Sequence, residues 1–221
     1  ALIVRAMNDS YMKQQILKRL QFDNPWWISG KIPEDYHLMR HRLYLDHFLS
    51  LVERKQPNRA VILMGPRRVG KTVMLFHTIE SLIMKGVNPQ KIIFVSIDIP
   101  IYSNIPLEDF IYLSQETLKQ TGEPIDGYYI FFDEIQYLKN WEGHLKTLVD
   151  SFRNSKFIAS GSAAAALKMK SGESGAGRFS DFMLPPLTFN EYIHLLDLDR
   201  LIVPASIKWC GRSVPTFDTV I

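Results

Sequence analysis

Short apolar runs and amphipathic segments alternate through the middle of the chain. Four apolar runs, each bounded by glycine, proline or polar residues, predict buried strands at 60–64, 91–98, 128–132 and 156–160. Between them, apolar residues recur every three or four positions, which predicts helices from Thr72 to a stop signal at Gly86, over 107–120 and over 141–152. Strands that alternate with helices of this length form a mainly parallel sheet covered on both faces. The predicted fold class is therefore α/β, a three-layer sandwich.

The flanks of this region carry weaker patterns. Residues 1–56 show helical periodicity and no convincing strand, which predicts a helical N-terminal arm that leads into the sheet domain. The periodicity breaks at Trp26-Trp27, where the two indoles either anchor the arm by packing or stack on a base. Residues 171–178 are small and glycine-rich, which predicts a mobile loop, and the last 20 residues show no clear periodicity.

Composition narrows the class of protein. Of 221 residues, 46% are hydrophobic and 22% charged, as in globular proteins and unlike collagen or disordered chains. A net charge of +3 permits an anionic partner without demonstrating one, so a DNA partner stays open. The single cysteine, Cys210, rules out an internal disulfide and fits a reducing compartment, for which the cytoplasm is the default. No apolar run approaches the ~18 residues of a membrane span, so no membrane association is expected.

The strongest chemical signal lies between the first predicted strand and the helix that follows it. Residues 65–72 match G-x-x-x-x-G-K-[ST], in the strand–helix context that a phosphate loop requires. Glycines let backbone N–H groups surround phosphate oxygens, and the helix presents its positive dipole end to the same anion. Lys71 is expected to reach the β- and γ-phosphates of ATP, and the Thr72 hydroxyl to ligate Mg²⁺. The predicted nucleotide-binding residues are Gly65, Pro66, Arg67, Arg68, Val69, Gly70, Lys71, Thr72 and Val73.

Two carboxylates follow the third predicted strand. Asp133 and Glu134 come directly after the apolar run 128–132, so both are expected at the C-terminal edge of the sheet, where open α/β folds bind ligands. Asp133 is predicted to hold Mg²⁺ together with Thr72. Glu134 is predicted to polarise the water that attacks the γ-phosphate. The pattern thus indicates a P-loop NTPase fold with catalytic carboxylates.

Three further residues are candidates for catalysis. Ser160 and Ser162 end the fourth predicted strand at the same sheet edge, where one hydroxyl would sense the γ-phosphate. Ser162 fits equally well as the cap of a helix over 163–169. Arg178 follows the glycine-rich loop, and it either stabilises transition-state charge, in cis or from a neighbouring subunit of a homo-oligomer, or is an ordinary solvated arginine.

Several segments together resemble the AAA+-type P-loop ATPases of bacteria and archaea, in particular a mostly uncharacterised group with a second C-terminal domain of unknown function. The resemblance spans about residues 32–195. Four segments carry it: 65–72, Phe132-Asp133-Glu134-Ile135-Gln136, Ser160-Gly161-Ser162, and Gly177-Arg178-Phe179 leading to Leu184-Pro185-Pro186-Leu187-Thr188-Phe189-Asn190-Glu191-Tyr192. It implies ATP binding and hydrolysis, a sensor role for the third segment and a finger role for Arg178.

The resemblance also suggests how the chain is divided. We expect a helical arm over 1–56, the ATPase domain over 57–196, and a tail over 197–221 that is the truncated start of a further domain. The predicted function is Mg²⁺-dependent ATP hydrolysis coupled to a conformational change on an unknown protein or DNA partner. The alternative is a nucleotide-binding switch with negligible turnover, for which a second carboxylate such as Glu134 would be unnecessary.

Overall fold

The protein is described from a computed structural model. It gives the backbone of residues 2–162, 177–198, 202–210 and 212–219, and the side chains of 10–162, 177–198 and 210. The strands are β1 (Ala60–Gly65), β2 (Ile92–Ser96), β3 (Tyr129–Asp133), β4 (Lys156–Ser162), β5 (Phe179–Met183), β6 (Ile202–Trp209) and β7 (Arg212–Thr219). The helices are α1 (Leu2–Asp23), α2 (Trp26–Ser29), α3 (Glu34–His37), α4 (Leu45–Glu53), α5 (Lys71–Met84), α6 (Leu107–Thr117), α7 (Trp141–Ser151) and α8 (Phe189–Leu195).

The centre of the fold is a five-stranded sheet in the order β2-β3-β4-β1-β5, and every neighbouring pair is parallel. All six residues of β1 are buried, as expected for a strand between two others and under helices on both faces. The predicted α/β class with a parallel sheet is therefore confirmed. Because the strands run in one direction, the ends of β1, β3 and β4 meet at one edge of the sheet.

The sequence did not indicate β5. This strand lies at the edge of the sheet, where only one neighbour covers it, and of its five residues only Phe182 is buried. A half-exposed strand of this length leaves no long apolar run. In addition, β4 continues to Ser162, two residues beyond its predicted end. The helix and most of the mobile loop predicted at 163–178 lie outside the described residues.

The N-terminal helices cover the free edge of β2. Buried Asn24 donates from Nδ2 to the Phe94 carbonyl at 2.9 Å, and its Oδ1 accepts from Phe94 N at 2.7 Å. The indole Nε1 atoms of Trp26 and Trp27 donate to the Ile92 carbonyl at 3.0 and 2.7 Å. Side chains thus take the place of a further strand on an edge that would otherwise expose unpaired backbone groups. The packing interpretation of the two tryptophans is confirmed.

The C-terminal segment forms a second, separate sheet. Strands β6 and β7 pair in antiparallel register from Ile202 opposite Thr219 to Trp209 opposite Arg212. The turn between them includes exposed Cys210, with φ of 50°. The sequence pattern did not predict this hairpin. Within the described residues, no helix is long and apolar enough to cross a membrane.

Candidate nucleotide-binding site

The loop between β1 and α5 curls around the start of the helix. Two of its residues have left-handed backbone conformations, Arg68 with φ of 64° and Gly70 with φ of 89°. Lys71 is buried, and its ammonium donates to the carbonyls of Gly65 at 3.2 Å and Pro66 at 2.9 Å. The ammonium therefore lies across the concave side of the loop, where backbone N–H groups at a helix start favour an anion.

Thr72 and Asp133 meet at the C-terminal edge of the sheet. The Thr72 hydroxyl donates to Asp133 Oδ2 at 2.7 Å, although the two residues are 61 positions apart in the chain. Oδ1 of the same carboxylate accepts hydrogen bonds from the Ser160 hydroxyl and from Glu134 N. Burial raises the pKa of Asp133, while the hydrogen bonds from Ser160 and Thr72 act in the opposite direction. A carboxylate and a hydroxyl this close form the kind of oxygen pair that suits Mg²⁺.

Glu134 lies beside this pair in a strained position. Its backbone is left-handed, with φ of 53°, a conformation that costs a non-glycine residue on the order of 1–3 kcal/mol. The side-chain amide of Gln136 donates to Glu134 Oε2, and Gln136 Oε1 accepts from Ser162 N at 3.2 Å. Gln136 therefore connects the predicted base to the end of β4. Gln136 lies in a segment that carries the family resemblance, but no chemical role was predicted for it.

The two serines of β4 differ in their surroundings. Ser160 is fully buried, and its hydroxyl is directed at Asp133. Ser162 is partly exposed and contacts Gln136 through its backbone N–H. Ser160 thus orients the predicted metal ligand, while the sensor role of either hydroxyl stays a prediction.

Arg178 lies far from the phosphate loop of its own chain. It immediately precedes β5, and its carbonyl accepts from Ala60 N at 2.9 Å, at the beginning of β1. The loop follows the other end of β1, about 16 Å away along the five steps from Ala60 to Gly65 at ~3.3 Å each. The Arg178 guanidinium instead pairs with Asp150 on α7 at 2.8 Å. This position, at the end of the strands away from the loop, speaks against the in-cis alternative, and a role for Arg178 in catalysis stays a prediction.

A mainly apolar cavity of about 440 Å³, whose charged lining residues are Arg40, Arg42, Arg68 and Asp197, adjoins the phosphate loop on the side of α8. Three segments line it: the residues after α3, the loop with the first turn of α5, and the segment around α8. Its apolar residues are Leu38, Met39, Val69, Val73, Leu187, Leu195 and Leu196. Of these, only Val69 and Val73 were predicted to bind nucleotide, because the other members come from distant segments without a common motif.

A larger cleft of about 980 Å³ opens on the other side of the site. Its lining residues include Thr72 and Asp133 as well as Arg19 and Phe22 of α1. Tyr36 also borders this cleft, and burial together with the Asp133 charge raises the pKa of its hydroxyl. The cleft gives solvent and ligands access to the predicted metal ligands.

The geometry defines a P-loop NTPase fold, and comparison with known families agrees. Residues 57–193 match AAA_14, a family described as an AAA domain. The protein belongs to this family. The resemblance to AAA-type P-loop ATPases inferred from the sequence is thereby confirmed.

Individual relatives are more distant. The chain is 27% identical over 155 residues to an uncharacterised protein of Haemophilus influenzae, covering 70% of this chain and 38% of that protein. It is 28% identical over 163 residues to an uncharacterised protein of Methanocaldococcus jannaschii, covering 73% and 32% respectively. The chain therefore spans about a third of the length of these relatives. The solved structure of the Aeropyrum pernix Orc1 protein in complex with DNA covers 78% of this chain and 52% of its own, with a TM-score of 0.51 and 14% identity, which is a likeness of fold.

Proposed function

We propose that the protein binds ATP with Mg²⁺, hydrolyses it, and uses hydrolysis to change its contacts with a macromolecular partner. The convergence of Lys71, Thr72, Asp133 and Glu134 at one edge of the sheet supports this proposal most directly. A phosphate cradle alone would serve a binding protein. A second carboxylate beside the first favours an enzyme, because it supplies a base for the attacking water.

In this proposal, the phosphate loop holds the triphosphate. The Lys71 ammonium moves from the carbonyls of Gly65 and Pro66 to the β- and γ-phosphates, which satisfy its positive charge better than neutral carbonyls do. Backbone N–H groups of the loop and the start of α5 bind the remaining phosphate oxygens. The apolar cavity beside Val73 receives the adenine base, because a flat apolar group fits a cavity with aliphatic walls.

Thr72 and Asp133 would hold Mg²⁺ at the end of β3. The metal ion, when bound, neutralises charge on the β- and γ-phosphate oxygens. The Thr72 hydroxyl is already 2.7 Å from the Asp133 carboxylate, so both oxygens need only small movements to ligate one cation. Ser160 keeps one carboxylate oxygen in place through its hydroxyl.

Glu134 would accept the proton of the attacking water. To do so it leaves Gln136, whose amide donates to Glu134 Oε2. This contact also favours the second candidate function, a nucleotide-binding switch with negligible turnover, since Gln136 occupies an oxygen that would otherwise accept the proton of the water. Binding of a partner that displaces Gln136 from Glu134 would convert the switch with negligible turnover into an active ATPase.

Two substitutions test the proposal. Lys71→Ala should abolish binding of a labelled ATP analogue, because it removes the ammonium from the phosphate cradle. Glu134→Gln should bind the analogue as the parent does and hydrolyse ATP at least ~10²-fold more slowly, the usual effect of losing a general base. Undiminished affinity in the Lys71 variant would exclude the phosphate loop as the binding site. Parental turnover in the Glu134 variant would exclude that residue as the base.

The partner is addressed by turnover with and without DNA. The Orc1 protein of the similar solved structure is bound to DNA, which makes duplex DNA a reasonable first probe. A rate that rises with DNA supports a DNA-dependent ATPase. A negligible rate under both conditions, with intact ATP binding, supports the switch.

In this proposal Arg178 acts from a neighbouring subunit of a homo-oligomer, because in its own chain it pairs with Asp150 at the end of β1 away from the phosphate loop. Arg178→Ala should then leave ATP affinity intact and lower turnover, and mixing with Lys71→Ala chains should restore activity, since those chains supply the arginine. A variant that retains full activity at every protein concentration would leave Arg178 as the partner of Asp150 alone.

A further inference from the structure

Arg42 joins three segments of the chain that are distant in sequence. Its guanidinium forms a bidentate ion pair with Glu191, in which Nε donates to Oε1 at 2.7 Å and Nη2 donates to Oε2 at 2.9 Å. Nη2 also donates to the Pro185 carbonyl at 3.0 Å. Nη1 donates to the carbonyl of Val69, which is a residue of the phosphate loop. Arg42 is 6% exposed and Glu191 2% exposed, so water competes little for these contacts.

The contact with Val69 has a geometric consequence for the next residue. A trans peptide directs its C=O and its N–H to opposite sides. Because Arg42 holds the Val69 carbonyl on its own side of the peptide, the Gly70 N–H is turned away from Arg42. Gly70 itself has φ of 89° and as a glycine populates several conformations readily, so its own backbone does not fix this orientation.

We propose that Arg42, held by Glu191, is a positioning residue that presents the Gly70 N–H to the phosphates of a bound nucleotide. The proposal rests on the nucleotide binding proposed above and adds the residues that prepare the loop for it. Glu191 is itself fixed, because its backbone N–H donates to the Thr188 side chain at the start of α8. The positioning thus depends on the β5–α8 connection as well as on the loop.

Arginine has a property at this position that lysine lacks. Its planar guanidinium donates in several fixed directions at once, here to two carboxylate oxygens and two carbonyls. A lysine ammonium would keep the charge opposite Glu191 but would not hold the Val69 carbonyl at the same time. Arg42→Lys therefore removes the positioning contact while it preserves the buried ion pair.

The test compares ADP with adenosine, which carries no phosphate. Both dissociation constants are measured by displacement of a fluorescent ATP analogue from the full chain. Arg42 also lines the cavity proposed for adenine, so adenosine serves to measure its effect on the base. We expect Arg42→Lys to weaken ADP binding at least ~10-fold more than adenosine binding, because only the phosphates contact the Gly70 N–H. Equal losses for the two ligands would overturn the proposal, and so would equal affinities for ADP in the variant and the parent.

A double variant separates positioning from folding. Arg42→Met combined with Glu191→Leu removes both buried charges, and replacing a buried ion pair by apolar residues is often neutral or stabilising. We expect this variant to melt at or above the parental temperature and still to bind ADP weakly. Parental ADP affinity in the double variant would show that Arg42 serves only the stability of the fold.

A control uses an exposed ion pair between the N-terminal helices and the region of α5. Lys85 pairs with Glu53 at 2.6 Å, far from the phosphate loop, so Lys85→Met should leave ADP affinity unchanged. Failure of the proposed function gives a different result from failure of this inference. In the first case the parent binds no ADP, or Lys71→Ala binds it as well as the parent does. In the second, Lys71→Ala loses ADP and Arg42→Lys retains it.

Discussion

Replacing Gly65 by alanine tests whether packing requires this glycine independently of any nucleotide. A Cβ at Gly65 would lie 2.6 Å from the Leu184 carbonyl oxygen and 3.1 Å from Val69 Cγ2. Carbon–oxygen contacts are ordinarily ~3.3 Å or longer, so the added methyl group is about 0.7 Å too close. The carbonyl cannot move freely, because the Leu184 N–H donates to the Met64 carbonyl at 2.7 Å.

The cost follows from these contacts. Overpacking in a well-packed region costs about 1–3 kcal/mol, and weakening the adjacent hydrogen bond adds up to about 1 kcal/mol. We therefore expect Gly65→Ala to lower the free energy of unfolding by about 2–3 kcal/mol. In a chain of this size, each kcal/mol shifts the melting temperature by about 2–4 °C, so the expected decrease is about 4–12 °C.

The assay is urea and thermal unfolding without nucleotide, followed by circular dichroism and tryptophan fluorescence. Gly143→Ala is the matched control. Gly143 is an exposed residue of helix α7 with no atom within 4 Å of its added Cβ, so alanine should raise stability there by about 0.5–1 kcal/mol. Unchanged stability in Gly65→Ala, with the expected gain in the control, would refute the packing argument. Gly65 would then serve only the bound phosphates.

Two further substitutions test the two ends of the fold. Burial lowers the pKa of Lys156 from 10.5 to about 8. At a pH between these two pKa values the unfolded chain binds more protons than the folded chain, so the free energy of unfolding should rise with pH in that range. Lys156→Met should abolish that rise and increase the free energy of unfolding by about 1–3 kcal/mol at pH 7. If the variant kept the parental dependence of stability on pH, Lys156 would not be its source. Asn24→Ala leaves the Phe94 N–H and carbonyl unpaired at the edge of β2, and urea unfolding should show a loss of about 3 kcal/mol. As a control, Ser29→Ala at an exposed position should change the free energy of unfolding little. Equal stability of the Asn24→Ala variant and the parent would show that the edge of β2 does not need Asn24.

Features encoded by neighbouring residues could be predicted from the sequence. The loop at 65–72 and the pair Asp133-Glu134 each lie within a few positions, and the strand before each one has a readable apolar run. Strand direction then implies that the loop and the carboxylates share an edge. The hydrogen bond of 2.7 Å between Thr72 and Asp133 agrees with that inference.

Features that depend on distant residues left no such signal. Arg42 and Glu191 are 149 positions apart. Glu191 lies in a segment that carries the family resemblance, but nothing in the sequence pairs it with Arg42. The sequence left open whether Arg178 acts at the phosphates or is a solvated arginine, and the pairing of β5 with β1 puts it at the end of the strands away from the phosphate loop. The position of Arg178 depends on the register of β5, an edge strand that the sequence pattern did not predict.

The structure also explains why the segment before residue 57 cannot be treated as an accessory. The family match begins at residue 57, shortly before β1 begins at Ala60. Residues before that point nevertheless pair with the free edge of β2 through Asn24, line the apolar cavity through Leu38 and hold the Val69 carbonyl through Arg42. A chain that began at residue 57 would retain every residue of the phosphate-loop motif. It would lose the contact that orients the Gly70 N–H, so we infer that the nucleotide-binding unit is larger than the region that defines the family.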